Sequence, residues 1–202
     1  MFVLQAVGAT LTPEQVETLH ARISAFPERY AEIGSGSGGH LIEQAKTNAR
    51  AFYLGFELRY KRVFDTARKA EREQLNNLMV VRGQASELFK VFKPNSLNGI
   101  YLNFPDPWER RRWHKHRILS AEFLAAVYEL LSPSGFISYK TDHNQYFAET
   151  LKMIEPAGLF EIEKLTNDLY NSSYLNGNIP SEFEKLFCSK GLPINFLLLR
   201  KK

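Results

Sequence analysis

One cysteine, Cys188, is all the chain carries, so no disulfide can close within it. No run of apolar residues approaches the roughly 20 needed to cross a bilayer. Met1–Gly8 is apolar but too short, and it lacks the basic start of a signal peptide. No group of Cys and His has metal-ligand spacing, and internal repeats, low-complexity tracts and long linkers are absent. Charge of one sign is scarce as well: 26 Lys and Arg face 22 Asp and Glu, a net charge of +4. These absences exclude a disulfide scaffold, a membrane span and a disordered polyelectrolyte. They point to a reduced, cytoplasmic, metal-free domain, and 202 residues suit a single core of the usual 100–250.

What is present is alternation. Thr12-Pro13-Glu14-Gln15 reads as a helix start, with a capping hydroxyl, a proline at the first helical position and a capping-box partner. Val16, Leu19, Ile23 and Phe26 then recur at helical spacing. From there the pattern predicts strands at 30–33, 51–57, 78–82, 99–104, 135–141, 160–165 and 194–200. Between them it predicts helices at 39–47, 60–75, 86–92, 120–131 and onward from 141 to about 157, and a polar loop over 166–180. Strand–helix alternation of this kind implies an α/β fold with a parallel sheet covered on both faces.

Two motifs carry chemistry. The first is Glu32-Ile33-Gly34-Ser35-Gly36-Ser37-Gly38-Gly39, a glycine-rich turn between a strand and a helix. Such a turn lets the backbone approach a ligand where a side chain would clash, at the carboxyl end of the sheet. Glu57 ends the next strand, 21 residues after Gly36, where an acid can accept from both hydroxyls of a ribose. The glycines satisfy a dinucleotide pattern too, so taken alone they admit either NAD or S-adenosylmethionine. Glu32 favours the latter, because a carboxylate there can hold a cationic amino group and would gain nothing from a pyrophosphate.

The second motif is Asn103-Phe104-Pro105-Asp106-Pro107-Trp108. Two prolines around Asp106 restrict the backbone and stop the strand, so the carboxylate projects from the strand's end with little freedom. Directly after it come Arg110, Arg111, Arg112, Lys115 and Arg117, interleaved with Trp113, His114 and His116 and opposed only by Glu109. Cations hold phosphates, and unstacked bases rest on aromatic or guanidinium planes, so this stretch suits RNA. A second basic stretch, 59–72, admits both a solvated helix face and a partner surface.

With these residues the chain resembles the bacterial tRNA (guanine-N7)-methyltransferases. That family shows an E-x-G-x-G-x-G segment, F-P-D-P-W followed by basic residues, a T-D pair after a strand and a late [ST]-x-[FY]-E. Here they stand as Glu32–Gly38, Phe104–Trp108, Thr141-Asp142 and Ser181-Glu182-Phe183-Glu184, and the likeness runs from about Tyr30 to the C-terminus. The resemblance implies a Rossmann-like class I methyltransferase with a mostly parallel seven-stranded sheet, helices on both faces and the last strand antiparallel. It implies one domain over 1–202, with a helical lead-in at 1–28 and a substrate-side segment at 166–187.

The same resemblance implies S-adenosylmethionine as cofactor, held by Glu32, Gly34, Gly36, Gly38, Glu57, Gln84, Ala85 and Asp106, with Asp106 also catalytic. It implies tRNA as substrate, methylated at nucleotide 46 of the variable loop. Contacts would come from Arg110, Arg111, Arg112, Lys115, Asp142, Ser181, Glu182, Phe183 and Glu184. Four residues at three places depart from the family pattern. Gln84 stands where an Asp is usual, Glu109-Arg110 where Pro-Lys or another basic pair is common, and Ser181 where Thr is commoner. The chain also begins without the longer basic N-terminal segment of many relatives, which implies that part of the tRNA affinity is missing or supplied elsewhere. Monomer and homodimer both stay open. So do four other readings: a nicotinamide-dependent oxidoreductase, a methyltransferase of another RNA, a small-molecule methyltransferase and a non-catalytic RNA-binding relative.

Overall fold

The structure, a computed structural model, describes residues 3–5 and 10–202. Of the apolar start Met1–Gly8, only Val3–Gln5 falls within them.

In chain order the elements are β1 (Val3–Gln5), α1 (Pro13–Ser24), β2 (Glu28–Ile33), α2 (Gly39–Thr47), β3 (Ala51–Glu57), α3 (Tyr60–Arg72), β4 (Leu78–Arg82), α4 (Leu88–Val91), β5 (Leu97–Asn103), α5 (Ala121–Leu130), β6 (Leu131–Thr141), α6 (Asn144–Ala157), β7 (Phe160–Thr166), α7 (Glu182–Ser189) and β8 (Asn195–Lys201). The strands form one eight-stranded sheet in the order β1-β4-β3-β2-β5-β6-β8-β7. Pairings are parallel except those of β8, which runs antiparallel to both β6 and β7. This is the expected sheet, last strand reversed, with the three-residue β1 added at one edge.

Both faces of the sheet are covered. α1, α4, α5 and α6 bury Leu19, Leu88, Leu124 and Phe147 against Ala31, Leu54, Leu102 and Ile137. α2 and α3 bury Leu41, Ala45 and Ala70 against Tyr53 and Leu78 on the other face. Every residue of β3, AFYLGFE, is buried, as a central strand with helices above and below requires. Chain order reverses between β2 and β5. From β2 the chain winds outward through β3 and β4 on one side, and through β5 and β6 on the other. α/β sheets open their ligand crevice at the carboxyl end of that junction.

The termini of the elements follow local chemistry. Thr12 caps α1 in the expected box: its Oγ1 accepts from Gln15 N at 3.3 Å while Gln15 Oε1 accepts from Thr12 N at 2.9 Å. α3 stops at Arg72 rather than 75. Gln74 takes φ +54° and Leu75 N–H turns back to Ala70 O at 3.0 Å, a left-handed closure that usually announces itself with glycine and here does not. β6 starts at Leu131, four residues earlier than the alternation suggests, because Leu131 pairs with Leu97 before extra residues of β6 shift the register to Gly99–Phe136. No helix among the described residues is long and apolar enough to cross a membrane.

Candidate active site

The glycine turn after β2 is built on β3. Gly34 N and Ser35 N both donate to Phe56 O, at 2.8 and 3.1 Å, and Gly38 N closes the turn on Ser35 O at 2.9 Å. Gly34 and Gly36 hold φ of +73° and +58°, and a Cβ on either would meet no atom within 4 Å. The space such a side chain would fill is the cleft itself. Gly38, at φ +78°, is different, since a Cβ there would lie 2.4 to 2.9 Å from the side chain of Thr66 on α3. Gly38→Ala therefore combines a left-handed backbone with overpacking of α2 on α3. We expect it to destabilise the fold by about 2–4 kcal/mol in urea titration; an unchanged midpoint would show that the turn relaxes freely.

Glu32 ends β2 beneath this turn, 2% exposed. Its Oε1 accepts from Asn103 Nδ2 at 2.9 Å, which ties the ends of β2 and β5 together across the crevice. Its Oε2 has no well-formed hydrogen bond, though His40 Nδ1 stands 3.2 Å away off-axis, and Asn103 Oδ1 is buried without a partner. Gln44 Nε2 lies 3.1 Å from His40 Nε2 on the other side of the ring. Glu57, at the end of β3, accepts from Arg59 N through Oε1 at 2.8 Å and from Gly36 N through Oε2 at 3.1 Å.

Two acceptor atoms buried at the cleft, together with a glycine floor, suit a ligand bearing an ammonium group. The second lone pairs of the Glu57 oxygens suit a ribose diol. The donor set therefore fits S-adenosylmethionine. Among the described residues no cluster of His, Cys, Asp and Glu could hold a metal ion.

The cleft is lined by Glu32, Gly34–Ser37, Arg62, Asn103, Ser181–Phe183 and Leu186. The Ser181–Glu184 segment, expected on the substrate side, is thus divided by the structure. Ser181, Glu182 and Phe183 form the wall facing the glycine turn. Glu182 Oε1 accepts from Gly39 N at 3.0 Å, supplying the N-terminal cap that α2 lacks in its own sequence, and lies 3.6 Å from Lys69 Nζ. Glu184 does not reach the cleft and is not offered to a substrate. It is fully buried, accepting from Lys140 Nζ at 2.6 Å, Asn178 Nδ2 at 2.6 Å and Tyr170 OH at 3.1 Å. Burial pulls the Lys140 ammonium below its ordinary value and the Glu184 carboxylate pulls it back up.

Asp106 is not among the residues that line this part of the cleft; buried Asn103, three residues earlier, is. Three residues span at most about 10 Å, so the exposed Asp106 sits at the rim. Its Oδ1 accepts from Trp108 N at 3.1 Å, closing a turn on itself. Phe104 and Trp108 on either side both hold positive φ, +53° and +43°, which costs a non-glycine residue of order 1–3 kcal/mol each.

The surroundings hold this strained turn. Phe104 N donates to Lys140 O at 2.8 Å, and the Phe104 ring packs on Phe187 at 5.3 Å. Arg117 Nε donates to Pro107 O at 2.7 Å while its other nitrogens reach Glu149 and His114, with the Tyr146 ring 4.5 Å beneath. Arg117 therefore leaves the surface basic group and becomes the turn's anchor. The remaining cations, Arg110, Arg111, Arg112 and Lys115, are exposed on and beside a 3₁₀ turn over Arg111–His116. Arg110 and Arg112 lie 4.8 and 5.1 Å from the Trp113 ring, which packs edge-on against Trp108.

Gln84 is exposed at the end of β4 with Ala85 half-buried after it, and neither lines the cleft. Asp142 is half-buried after β6, and among the described residues its carboxylate makes no hydrogen bond or ion pair. His40, Asn103, Arg62 and Lys140 were not legible as site residues. The start of α7 carries a local signal, since Ser181-x-x-Glu184 is a capping box, and both of its hydrogen bonds form.

A doubly wound sheet with a glycine turn, a buried acid beneath it and a second acid on the neighbouring strand defines an S-adenosylmethionine-dependent class I methyltransferase. The family model described as "Putative methyltransferase" matches residues 28–197. The tRNA (guanine-N(7)-)-methyltransferase of Mycoplasma pneumoniae (strain ATCC 29342 / M129 / Subtype 1) is 34% identical over 192 residues, 94% of this chain and 89% of that protein. The protein of the same name from Bacillus subtilis (strain 168) is 36% identical over 166 residues, 82% of this chain and 76% of that protein. The chain belongs to the tRNA (guanine-N7)-methyltransferase family. Among solved structures, the 16S rRNA methyltransferase KamB superposes with a TM-score of 0.66 at 12% identity, over 95% of this chain and 94% of that one. An antibiotic-related methyltransferase superposes at 0.65 and 17%, over 96% and 97%. At those identities the likeness speaks for the fold alone.

Proposed function

We propose that this chain, acting as a single cytoplasmic domain, methylates N7 of a guanine in tRNA at nucleotide 46 of the variable loop. The observation that carries the reading is the Phe104–Trp108 turn. A strained, doubly anchored loop presents one carboxylate between the cleft's Asn103 and an arginine- and tryptophan-rich surface. Strain held in place by its surroundings clusters where function needs a fixed group.

N7 carries a free lone pair at neutral pH, so no side chain need remove a proton. S-adenosylmethionine supplies, when bound, an electrophilic methyl carbon on a sulfonium. The work of the chain is alignment and charge. Glu32 and Asn103 hold the ammonium end, Glu57 holds the ribose, and the glycine turn lets both approach. Asp106 orients the guanine and offsets the positive charge that its ring acquires. Asp142 serves the same recognition, and Gln84 and Ala85 border the adenine. Arg110, Arg111, Arg112 and Lys115 hold phosphates, with Trp113 between two guanidiniums as a surface for an unstacked base. The imidazoles of His114 and His116 belong to that surface and have no acid–base part.

Incubation with methyl-labelled cofactor and unmodified tRNA, followed by digestion to nucleosides, is expected to place the label in 7-methylguanosine. A tRNA lacking guanine at position 46 should remain unlabelled. Label in another nucleoside, or none in tRNA, would refute the assignment.

A further inference from the structure

Opposite the Asp106 turn, α3 carries a feature that the proposed activity has not used. Tyr60 and Phe64 are 58% and 46% exposed, an unusual placement for two large rings one helical turn apart. Their rings stack at 6.3 Å with 19° between planes. The Arg68 guanidinium lies 5.8 Å over Phe64, and the Arg82 guanidinium 5.7 Å over Tyr60. The result is a four-layer ladder on the outside of the molecule, Arg68, Phe64, Tyr60, Arg82, with Leu58 exposed beside it. Arg82 is steadied by a hydrogen bond from Nε to Leu58 O at 3.4 Å, and among the described residues neither guanidinium is paired with a carboxylate.

Helical spacing alone explains why Tyr60, Phe64 and Arg68 meet, at i, i+4 and i+8. Such pairs are worth only a few tenths of a kcal/mol to a helix. That gain does not explain why large apolar rings stay in water between cations that no acid neutralises.

We infer that this ladder is a second RNA-binding surface, a stacking platform for unpaired bases of the substrate tRNA, on the far bank of the cofactor cleft from Asp106. Its chemistry is that of single-strand binding: planar faces that accept any base, and positive charge for the phosphates between them. An acidic protein would satisfy the charges but would gain little from stacked rings.

Position agrees. Tyr60 begins α3 three residues after Glu57, and Arg62 on the next face of the helix both lines the cleft and lies 5.7 Å over Phe183. β3 and β5 are separated by β2, roughly 10 Å at the usual strand spacing. The ladder and the Arg110–Trp113 group therefore flank the cleft on opposite sides, where one extended nucleic acid can meet both.

This inference rests on tRNA being the substrate, and the experiment separates the two. Tyr60→Ala/Phe64→Ala removes the rings and leaves every charge. Binding of unmodified tRNA is followed by fluorescence anisotropy across a salt series, S-adenosylmethionine binding by calorimetry and association state by sedimentation velocity. Affinity for tRNA is expected to fall about tenfold or more, with the salt slope unchanged, since base–aromatic stacking is worth roughly 5- to 150-fold per base. The KM for tRNA should rise with kcat retained, and cofactor affinity should hold. Tyr60→Phe/Phe64→Tyr, which keeps both rings, should bind as the wild type does, and Arg68→Glu should weaken binding and flatten the salt slope.

A double-alanine variant within twofold of wild type would overturn the platform while leaving the activity standing. So would a shift in association state with tRNA affinity intact, which would mark the ladder as a contact between copies. Should the double variant lose cofactor binding, Arg68→Glu decides: unchanged tRNA affinity and slope there overturn the proposal. Failure of the wild type to bind tRNA would instead remove the substrate assignment itself.

Discussion

Asp106→Ala is expected to lower methyl transfer to tRNA about 10²- to 10³-fold, the usual consequence of removing one fixed electrostatic group from a reacting centre. Cofactor affinity should fall far less than transfer, because Glu32, Asn103 and the glycine turn stay in place. The informative companion is Asp106→Asn. Asp106 Oδ1 accepts from Trp108 N at 3.1 Å, and an asparagine oxygen can accept that bond equally well. If the carboxylate only closes the turn, Asn should restore turnover. If its charge orients and stabilises the guanine, Asn should stay nearly as slow as Ala while the melting temperature recovers. Single-turnover rates at saturating tRNA distinguish the two, and near-normal turnover in the Asn variant would remove Asp106 from the chemistry.

Lys140→Met is expected to give the largest loss of stability among the substitutions considered. Lys140 Nζ serves Glu184 Oε2, Asn178 Oδ1 and Ile179 O at 2.6, 2.9 and 3.1 Å, and Glu184 has no exposure to water. Removing the lysine strands a buried carboxylate, for which about 3–5 kcal/mol is the typical penalty. In a chain of this length that is a fall in Tm of roughly 6–20 °C. Lys140→Met/Glu184→Leu should recover much of it, because a buried pair replaced by apolar groups is often neutral. The pair also docks α7, whose first turn forms one wall of the cleft and caps the glycine turn through Glu182. Folded Lys140→Met protein should therefore bind S-adenosylmethionine more weakly. Equal melting curves for both variants and the wild type would show that the pair contributes nothing.

The legibility of this chain was uneven for reasons visible in particular residues. Strands 51–57 and 78–82 and the helix at 39–47 were read to the residue, because apolar runs bounded by turn residues report a fully covered strand directly. The glycine turn, Glu32 and Glu57 were legible because a close-approach loop leaves so few residue types to choose from. Asn103 opens the second motif, but its bond to Glu32 spans 71 residues, beyond any local pattern. Arg117 looked like one more member of a basic run. Its role as an anchor depends on Glu149 and Tyr146, which arrive on α6.

Local physics thus sufficed for the α/β fold class and for a glycine turn that approaches a ligand. Period, capping, proline and glycine act within a few residues of themselves, and they determined the alternation, the cofactor turn and the rigid turn around Asp106. Which charges remain available was a tertiary decision. Folding buried or paired Glu184, Lys140 and Arg117, and it stacked Arg68 and Arg82 on rings with no carboxylate partner among the described residues. The reason is that a charge is assigned its role by what surrounds it in three dimensions. Desolvation and pairing depend on groups brought in from distant segments, and the pattern along the chain does not encode that distance.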